Sequence, residues 1–423
     1  MRLFLRLALP ASLGTGALFL AMAACSDDGD TSFGPNVDLP IYDSGSDVAD
    51  AGVDEITDGS IDGPKPGCTT GTVAILSGQG GLLNASVDRG RGFAVANITG
   101  TAADSTPGLL AYGDGFVGVM RAGPNLMWTA YKGSWSPPAI LANLSNPDGT
   151  SPVPTLTTNG TLAFVVYPSG NDRHFYKAEY NGNGWGAGTS VESAPGAYSF
   201  GTDGAGFAWT GQDFAWAENG TNKGLYTRAL TNTWTPGVAV DGAGTKGVAA
   251  GVPQVIAIEG TTYDAIGLFV GGANEQTDRL GWVRRRKSDK TWSAGRPPTP
   301  APATPLLDTT HTTTERMNVA RTAGGDVVVT YRAADGNGYF VRGTLNDANG
   351  VTWSAPASLG GEATVKVDSP PAVAKGVCGS DALAVFASDG KVQITRLRDG
   401  AWSTAEQITG ASGYLVAIAT RGQ

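Results

Sequence analysis

The chain has only two histidines, His174 and His311, and three cysteines, Cys25, Cys68 and Cys378, among 423 residues. The histidines stand far apart, and no His/Cys/Asp/Glu spacing of a zinc site is present. No glycine-rich phosphate loop follows a strand and opens a helix. No Gly-x-Ser-x-Gly elbow stands out, and a catalytic triad would need one of these two histidines. No cofactor, no metal and no catalytic residue is therefore expected. These absences weigh against an enzyme without closing the question. Helical periodicity is nearly absent, and beyond the N-terminus no segment has the ~20 uninterrupted apolar residues of a membrane span.

The N-terminus carries an export signal. Arg2 and Arg6 precede an apolar stretch from Leu7 to Met22 that ends Met22-Ala23-Ala24-Cys25. This resembles a bacterial lipoprotein signal with a slightly irregular lipobox. The resemblance implies cleavage before Cys25 and a lipid anchor on its thiol; an ordinary secretory signal cut near Ala24 is the alternative. Ser26 after the cysteine implies sorting to the outer membrane if the host has two. Expected boundaries are a signal peptide over 1–24, the lipidated Cys25 with an acidic tether over 25–67, and a folded domain over 68–423.

Residues 26–67 contain ten Asp, one Glu and one Lys among Gly, Ser and Pro, a composition that cannot build a core. The chain's net charge of −9 thus resides in this tether, and the folded part is close to neutral. A neutral domain gives no electrostatic basis for binding nucleic acid. As a flexible coil the tether spans roughly 35–40 Å, enough to hold a domain clear of a lipid surface.

What the folded part has in abundance is glycine, 62 in the chain, and a tryptophan unit repeated at Trp135, Trp185, Trp234, Trp292, Trp353 and Trp402. Most copies read Trp-Ser or Trp-Thr, and a period near 50 marks a repeated supersecondary unit. The last unit shows its parts: strands over Pro371–Lys375, Asp381–Ala387, Lys391–Leu397 and Trp402–Ile408, with Ser388-Asp389-Gly390 and Asp399-Gly400 as hairpin turns. Four antiparallel strands, here A to D from the inside outward, describe one blade of an all-β propeller. Each Trp opens strand D, where its large ring is expected to pack between blades.

Six units leave strand-like segments at both ends: Tyr414–Thr420, and Thr72–Ser77, Leu82–Val87 and Phe93–Ile98. One strand from the C-terminus and three from the N-terminus make a seventh blade closed by both chain ends; six blades is the alternative. With Cys25 lipidated in an oxidising compartment, Cys68 and Cys378 are expected to form a disulfide beside this closure.

Strand alternation puts A–B and C–D turns on one face and B–C and D–A loops on the other. The second set is elaborated, over Ser169–Arg173, Glu218–Lys223, Asn274–Arg279 and Arg296–Glu315. Long polar loops on a rigid scaffold are where binding resides. The candidate ligand-binding residues are Asp172, Arg173, His174, Glu218, Glu275, Asp278 and Arg279, and the opposite, tether-side face is expected to be plain. Arg284-Arg285-Arg286-Lys287 falls in a C strand and is read as a peripheral, solvated run, with a basic docking patch as second reading.

Two resemblances bear on function. The hairpins that end in Trp resemble the sialidase-type repeat Ser-x-Asp-x-Gly-x-Thr-Trp. Asp347-Ala348-Asn349-Gly350-Val351-Thr352-Trp353 comes closest, with Ala348 where the motif has Asp; Ser288-Asp289-Lys290-Thr291-Trp292 lacks the Gly. Arg316, followed by Val319-Ala320 and Tyr331-Arg332, resembles that family's first arginine region without its Phe and Pro. The family's three arginines around a carboxylate, Tyr–Glu pair and acid are not identifiable as a set. The rhythm Pro-Ala-Val-Ala, Leu-Ala-Val-Phe, Ser-Asp-Gly-Lys, Gly-Ala-Trp-Ser over residues 371–403 is similar to bacterial propeller lectins, including fucose-binding ones, which implies sugars held between blades on aromatic and polar residues. The expectation is a monomeric, non-enzymatic propeller anchored in the cell envelope that binds a glycan or a protein partner. A sialidase-type glycoside hydrolase and a structural envelope lipoprotein are the alternatives.

Overall fold

The computed structural model describes residues 71–79, 82–144, 153–168, 175–191, 205–219, 225–227, 238–239, 248–271, 280–294, 307–347, 350–361 and 364–422. These residues form seven antiparallel sheets.

Chain order begins with β1 (Thr72–Gln79), β2 (Leu82–Asp88) and β3 (Phe93–Ile98). The first complete sheet is β4 (Gly108–Tyr112), β5 (Gly115–Ala122), β6 (Asn125–Tyr131) and β7 (Ala139–Asn143). The second is β8 (Thr155–Thr158), β9 (Ala163–Pro168), β10 (Phe175–Tyr180) and β11 (Thr189–Ser190). The third is β12 (Ala205–Trp209), β13 (Phe214–Asn219), β14 (Leu225–Thr227) and β15 (Val238–Ala239). The fourth is β16 (Val248–Ala257), β17 (Tyr263–Gly271), β18 (Leu280–Arg286) and β19 (Trp292–Ala294). The fifth is β20 (Asn318–Arg321), β21 (Val327–Arg332), β22 (Gly338–Asn346) and β23 (Gly350–Trp353), with β24 (Ala357–Ser358) added to β22. The sixth is β25 (Ala372–Lys375), β26 (Ala382–Ser388), β27 (Lys391–Arg398) and β28 (Ala401–Trp402), with β29 (Glu406–Ser412) added to β27. Last, β30 (Leu415–Arg421) pairs with β1, so a closing sheet runs β3-β2-β1-β30.

The innermost strands β4, β8, β12, β16, β20, β25 and β30 touch one another in succession, and β30 touches β4. The sheets therefore close into a ring around a central channel, the β-propeller expected of this repeat. The closing sheet joins Ile75 to Ile418 and Leu76 to Ala417 in register, so β1 is a B strand. No open edge remains where the chain ends meet.

The Asp-Gly turns form as expected. Asp389 and Asp399 take φ of +50°, and Gly390 and Gly400 follow at +68° and +82°, the left-handed pair of a two-residue hairpin. The expected fourth strand over Trp402–Ile408 is instead split into β28 and β29. The reason lies in the residue after the Trp. Ser403 N donates to Arg396 O at 2.9 Å, and Arg396 N donates back to Ser403 Oγ at 3.1 Å, so a side chain replaces a backbone acceptor and the ladder bends away. The same two bonds join Ser136 to Ala130 (2.8 and 3.0 Å) and Ser354 to Arg342 (2.8 and 3.1 Å). This is the physical content of the recurring Trp-Ser.

The tryptophans pack between sheets. Trp135 lies against Leu76 and Leu83 of the closing sheet and Met120 of the first. Trp292 bridges the third and fourth, Trp353 the fourth and fifth, and Trp402 the fifth and sixth, where Phe340 meets it edge-on at 5.6 Å. Room is made by a strand glycine: a Cβ on Gly343 would sit 2.6 Å from the Trp353 ring. The Nε1 atoms of Trp135, Trp185, Trp292, Trp353 and Trp402 are buried without an acceptor, so ring area rather than hydrogen bonding holds them.

The basic run departs from expectation. Arg286 and Lys287 are exposed, but Arg284 and Arg285 are buried. Arg285 reaches from β18 to Asp264 on β17, with Nε–Oδ1 at 2.8 Å and Nη2–Oδ2 at 2.9 Å, and to Asp213 of the third sheet at 2.6 Å. It also donates to Phe214 O at 3.1 Å. Arg284 lies over the Tyr263 ring at 4.4 Å. The solvated reading holds for Arg286 and Lys287 and fails for Arg284 and Arg285. Arg285 makes the segment a charged clasp between two sheets.

Candidate functional site

The residues selected from the sequence fall mostly outside the described part of the chain. Asp172, Arg173, His174, Glu275, Asp278 and Arg279 lie there, as do Cys25 and Cys68. Glu218 closes β13, its backbone paired with Ala205 and Tyr226. Cys378 is disulfide-bonded and sits at φ +57° in the β25–β26 turn.

Where the B–C/D–A face is described, it carries a polar cluster between the fourth and sixth sheets. Asp308 is fully buried and accepts from the backbone N–H of Thr310 (2.6 Å) and His311 (3.0 Å), from His311 Nδ1 (2.7 Å) and from the Tyr331 hydroxyl. Burial alone would raise the Asp308 carboxyl; these donors outweigh it and hold it below its ordinary value. Burial, and then the Asp308 charge, push the Tyr331 hydroxyl far up. His311 stacks on Tyr339 at 3.9 Å, and Tyr339 donates to Asp335 at 2.9 Å. Every carboxylate oxygen here has a donor, so the cluster braces a D–A loop against a B–C turn.

Among the described residues, two clefts lie on either side of the closing sheet, toward the A–B and C–D turns. The face expected to be plain carries both of these clefts. The first, about 470 Å³, separates β3 from the turn after β6. Alternation along β3 aims Ala94, Ala96 and Ile98 into it, and the two alanines are exposed. Because these side chains are small, the half-buried ring of Trp135 stays partly uncovered on that side, while Tyr131, 5.3 Å from it, is buried behind it. Trp135 is half-buried, whereas Trp292 and Trp402 are buried. Thr99, Ser134 and Ser136 bring polar groups to the rim, and Arg89 lies over the Tyr131 ring at 5.4 Å.

The second cleft, about 390 Å³, lies between the closing and sixth sheets. It is charged: Asp88, Arg91, Arg396, Arg398 and Glu406 line it, with Cys378 in its wall. Arg396 pairs with Glu406 at 3.1 Å. Asp88 Oδ1 accepts from the backbone N–H groups of Gly90, Arg91 and Gly92 at 2.7–3.0 Å, fixing the turn that divides the two clefts.

A third cavity, about 170 Å³, occupies the central channel. Among the described residues, Arg316 is the one charged side chain in its lining. Glycoside hydrolysis by two carboxyl groups has no basis among the described residues of this cavity.

The aromatic cleft has the composition of a small-molecule site, apolar and aromatic with a few polar groups at the rim. Sequence reasoning missed it because its walls come from segments 40 residues apart. The available signal was the pair of alanines at outward positions of β3, where an edge strand ordinarily carries charge.

No family model and no curated protein matches this chain. Solved structures of similar shape include a fucose-specific lectin from Aleuria aurantia, 12% identical with a TM-score of 0.44, covering 73% of this chain and 96% of that one. AofleA from Arthrobotrys oligospora is 11% identical with a TM-score of 0.44, covering 75% and 89%. A protein from Lactobacillus plantarum is 11% identical with a TM-score of 0.48, covering 83% and 99%. At such identities the likeness concerns the fold alone; ligand and role have to be argued from the clefts.

Proposed function

We propose that this protein is a non-enzymatic glycan-binding propeller, held at the cell envelope by a lipid on Cys25 and an acidic tether. The observation that carries the reading is the Trp135–Tyr131 cleft. A sugar ring offers an apolar face of C–H groups and an equatorial rim of hydroxyls. The cleft offers the complement: the exposed part of the Trp135 ring, an alanine wall, and hydroxyl groups from Thr99 and Ser134. An acidic tether over 25–67 would be long enough to leave a cleft on the tether-side face accessible. The Cys68–Cys378 disulfide belongs to the same proposal, since it would hold the start of β1 beside the charged cleft.

A glycan array probed with the full chain in detergent tests this reading. Binding of a neutral glycan is expected, with dissociation constants in the micromolar to millimolar range typical of one shallow site, on the order of −4 to −8 kcal/mol. Failure to retain any glycan on the array would sink it and leave a structural or protein-binding envelope role.

A further inference from the structure

The channel cavity holds the charge of Arg316, and no acidic side chain among the described residues of its lining answers it. Arg316 stands just before β20, at the D–A end of the innermost strands. Its walls are Pro107, Gly108 and Leu109 on one side, Thr155 and Leu156 on another, and Val373, Val416 and Ile418 opposite. Of the five N–H groups of its guanidinium, one donates to Asn318 Oδ1 at 2.8 Å. Asn318 is itself tied to Pro371 O at 2.8 Å. Arg316 Nε is buried and has no acceptor, and Arg316 forms no ion pair. The adjacent Glu315 turns away to Arg332, at 2.6 Å.

A partly buried guanidinium whose Nε has no acceptor and whose charge has no partner carries a desolvation cost that nothing offsets. Burial alone pushes this group down to about 10 from its ordinary 12.5. The sign matters: at neutral pH the group is charged both folded and unfolded, so the penalty is fully present there and is relieved only as pH rises above about 10. The channel also offers space in front of the charge, and the other polar groups of its lining, Thr155, Gln254 and Asn318, are neutral. A dianion would leave one negative charge unmatched against aliphatic walls; a monoanion would balance the site.

We propose that the channel mouth is a binding site for a small monovalent anion, a halide or the carboxylate of a small molecule, held by Arg316 N–H groups. The inference is independent of the glycan cleft, which lies at the outer strands. An anion there closes the charge balance of the ring's interior and makes its stability depend on the anion.

The test uses the full chain in detergent, in HEPES with sodium sulfate holding ionic strength constant. Sodium acetate and sodium chloride are titrated separately, with the Arg Nε–H resonances followed by 1H–15N NMR and the melting temperature in parallel. One Nε–H signal is expected to shift saturably with acetate or chloride, and the tighter of the two identifies the ligand chemistry. The melting temperature should rise on the order of 2 °C at ten times Kd. Arg316→Met should melt higher than the parent without anion and lose the anion dependence. The NMR readout on the parent protein stands even if that variant fails to fold. No saturable Nε–H shift with either anion, an equal shift with sulfate, or an anion dependence retained in Arg316→Met would each overturn the proposal.

Discussion

Arg285→Ala is expected to destabilise the domain by about 3–5 kcal/mol, the cost of leaving a buried ion without its partner. Arg285 is 3% exposed and Asp264 4%, so neither can exchange its partner for water. Lys290 still reaches Asp264 at 2.9 Å and Asp213 at 3.9 Å, but through one amine that is 30% exposed, and it cannot replace a two-pronged guanidinium that meets Asp213 at 2.6 Å. Chemical denaturation of variant and parent measures the loss. The double variant Arg285→Met with Asp264→Leu should recover most of it, because both buried charges leave together. The pH dependence has a definite sign. Burial would raise the Asp264 carboxyl, but Arg285 and Lys290 outweigh it and hold it below 3.8. Its contribution is therefore complete above 3.8 and lost as pH falls through the lower folded value, so parent and Arg285→Ala converge in that acidic window. A cost under 1 kcal/mol for Arg285→Ala at neutral pH would show that the clasp is incidental.

The second large effect concerns the repeat itself. Trp402→Ala is expected to cost about 3–5 kcal/mol, since the ring is 6% exposed and fills the space between the fifth and sixth sheets against Phe340, Phe386 and Leu397. Trp402→Phe should cost clearly less, because the indole N–H has no acceptor to lose. Trp135→Ala should cost less than Trp402→Ala, as half of its surroundings is open cleft. The urea midpoints of the three variants, at unchanged m-value, check the ranking. Equal costs at positions 135 and 402 would mean that the cleft is filled in solution and Trp135 is one more packing residue.

The architecture was legible because it is written locally. Asp389-Gly390 and Asp399-Gly400 dictate their own left-handed turns, and the six-fold Trp unit names the strands around it. Even the closing sheet could be read, because Thr72–Ser77 and Tyr414–Thr420 were strands without a unit to join. Local reading failed where a side chain answers to another sheet. Alternation along β18 cannot show that Arg285 meets Asp213, 72 residues earlier, so two buried cations read as a solvated run. The aromatic cleft depends on Ala94 and Ala96 facing Trp135 across a sheet boundary, and no pattern within β3 reveals what stands opposite. Arg316 was visible only as part of a family resemblance; its isolation in the channel is a property of the ring, made by seven inner strands together. The face assignment followed loop length alone, and the described clefts arise instead from small side chains near short turns.

The account rests on the cleft between β3 and the turn after β6. Ala96 is exposed, lies in that cleft and supports no core contact, so Ala96→Phe fills the space without disturbing the fold. The decisive measurement is the affinity of this variant, by isothermal titration, for whichever glycan the parent chain binds, with its melting temperature alongside. Loss of at least about tenfold in affinity, roughly 1.4 kcal/mol, at an unchanged melting temperature is the predicted result. An unchanged affinity would place the glycan elsewhere and contradict the assignment of the Trp135 cleft.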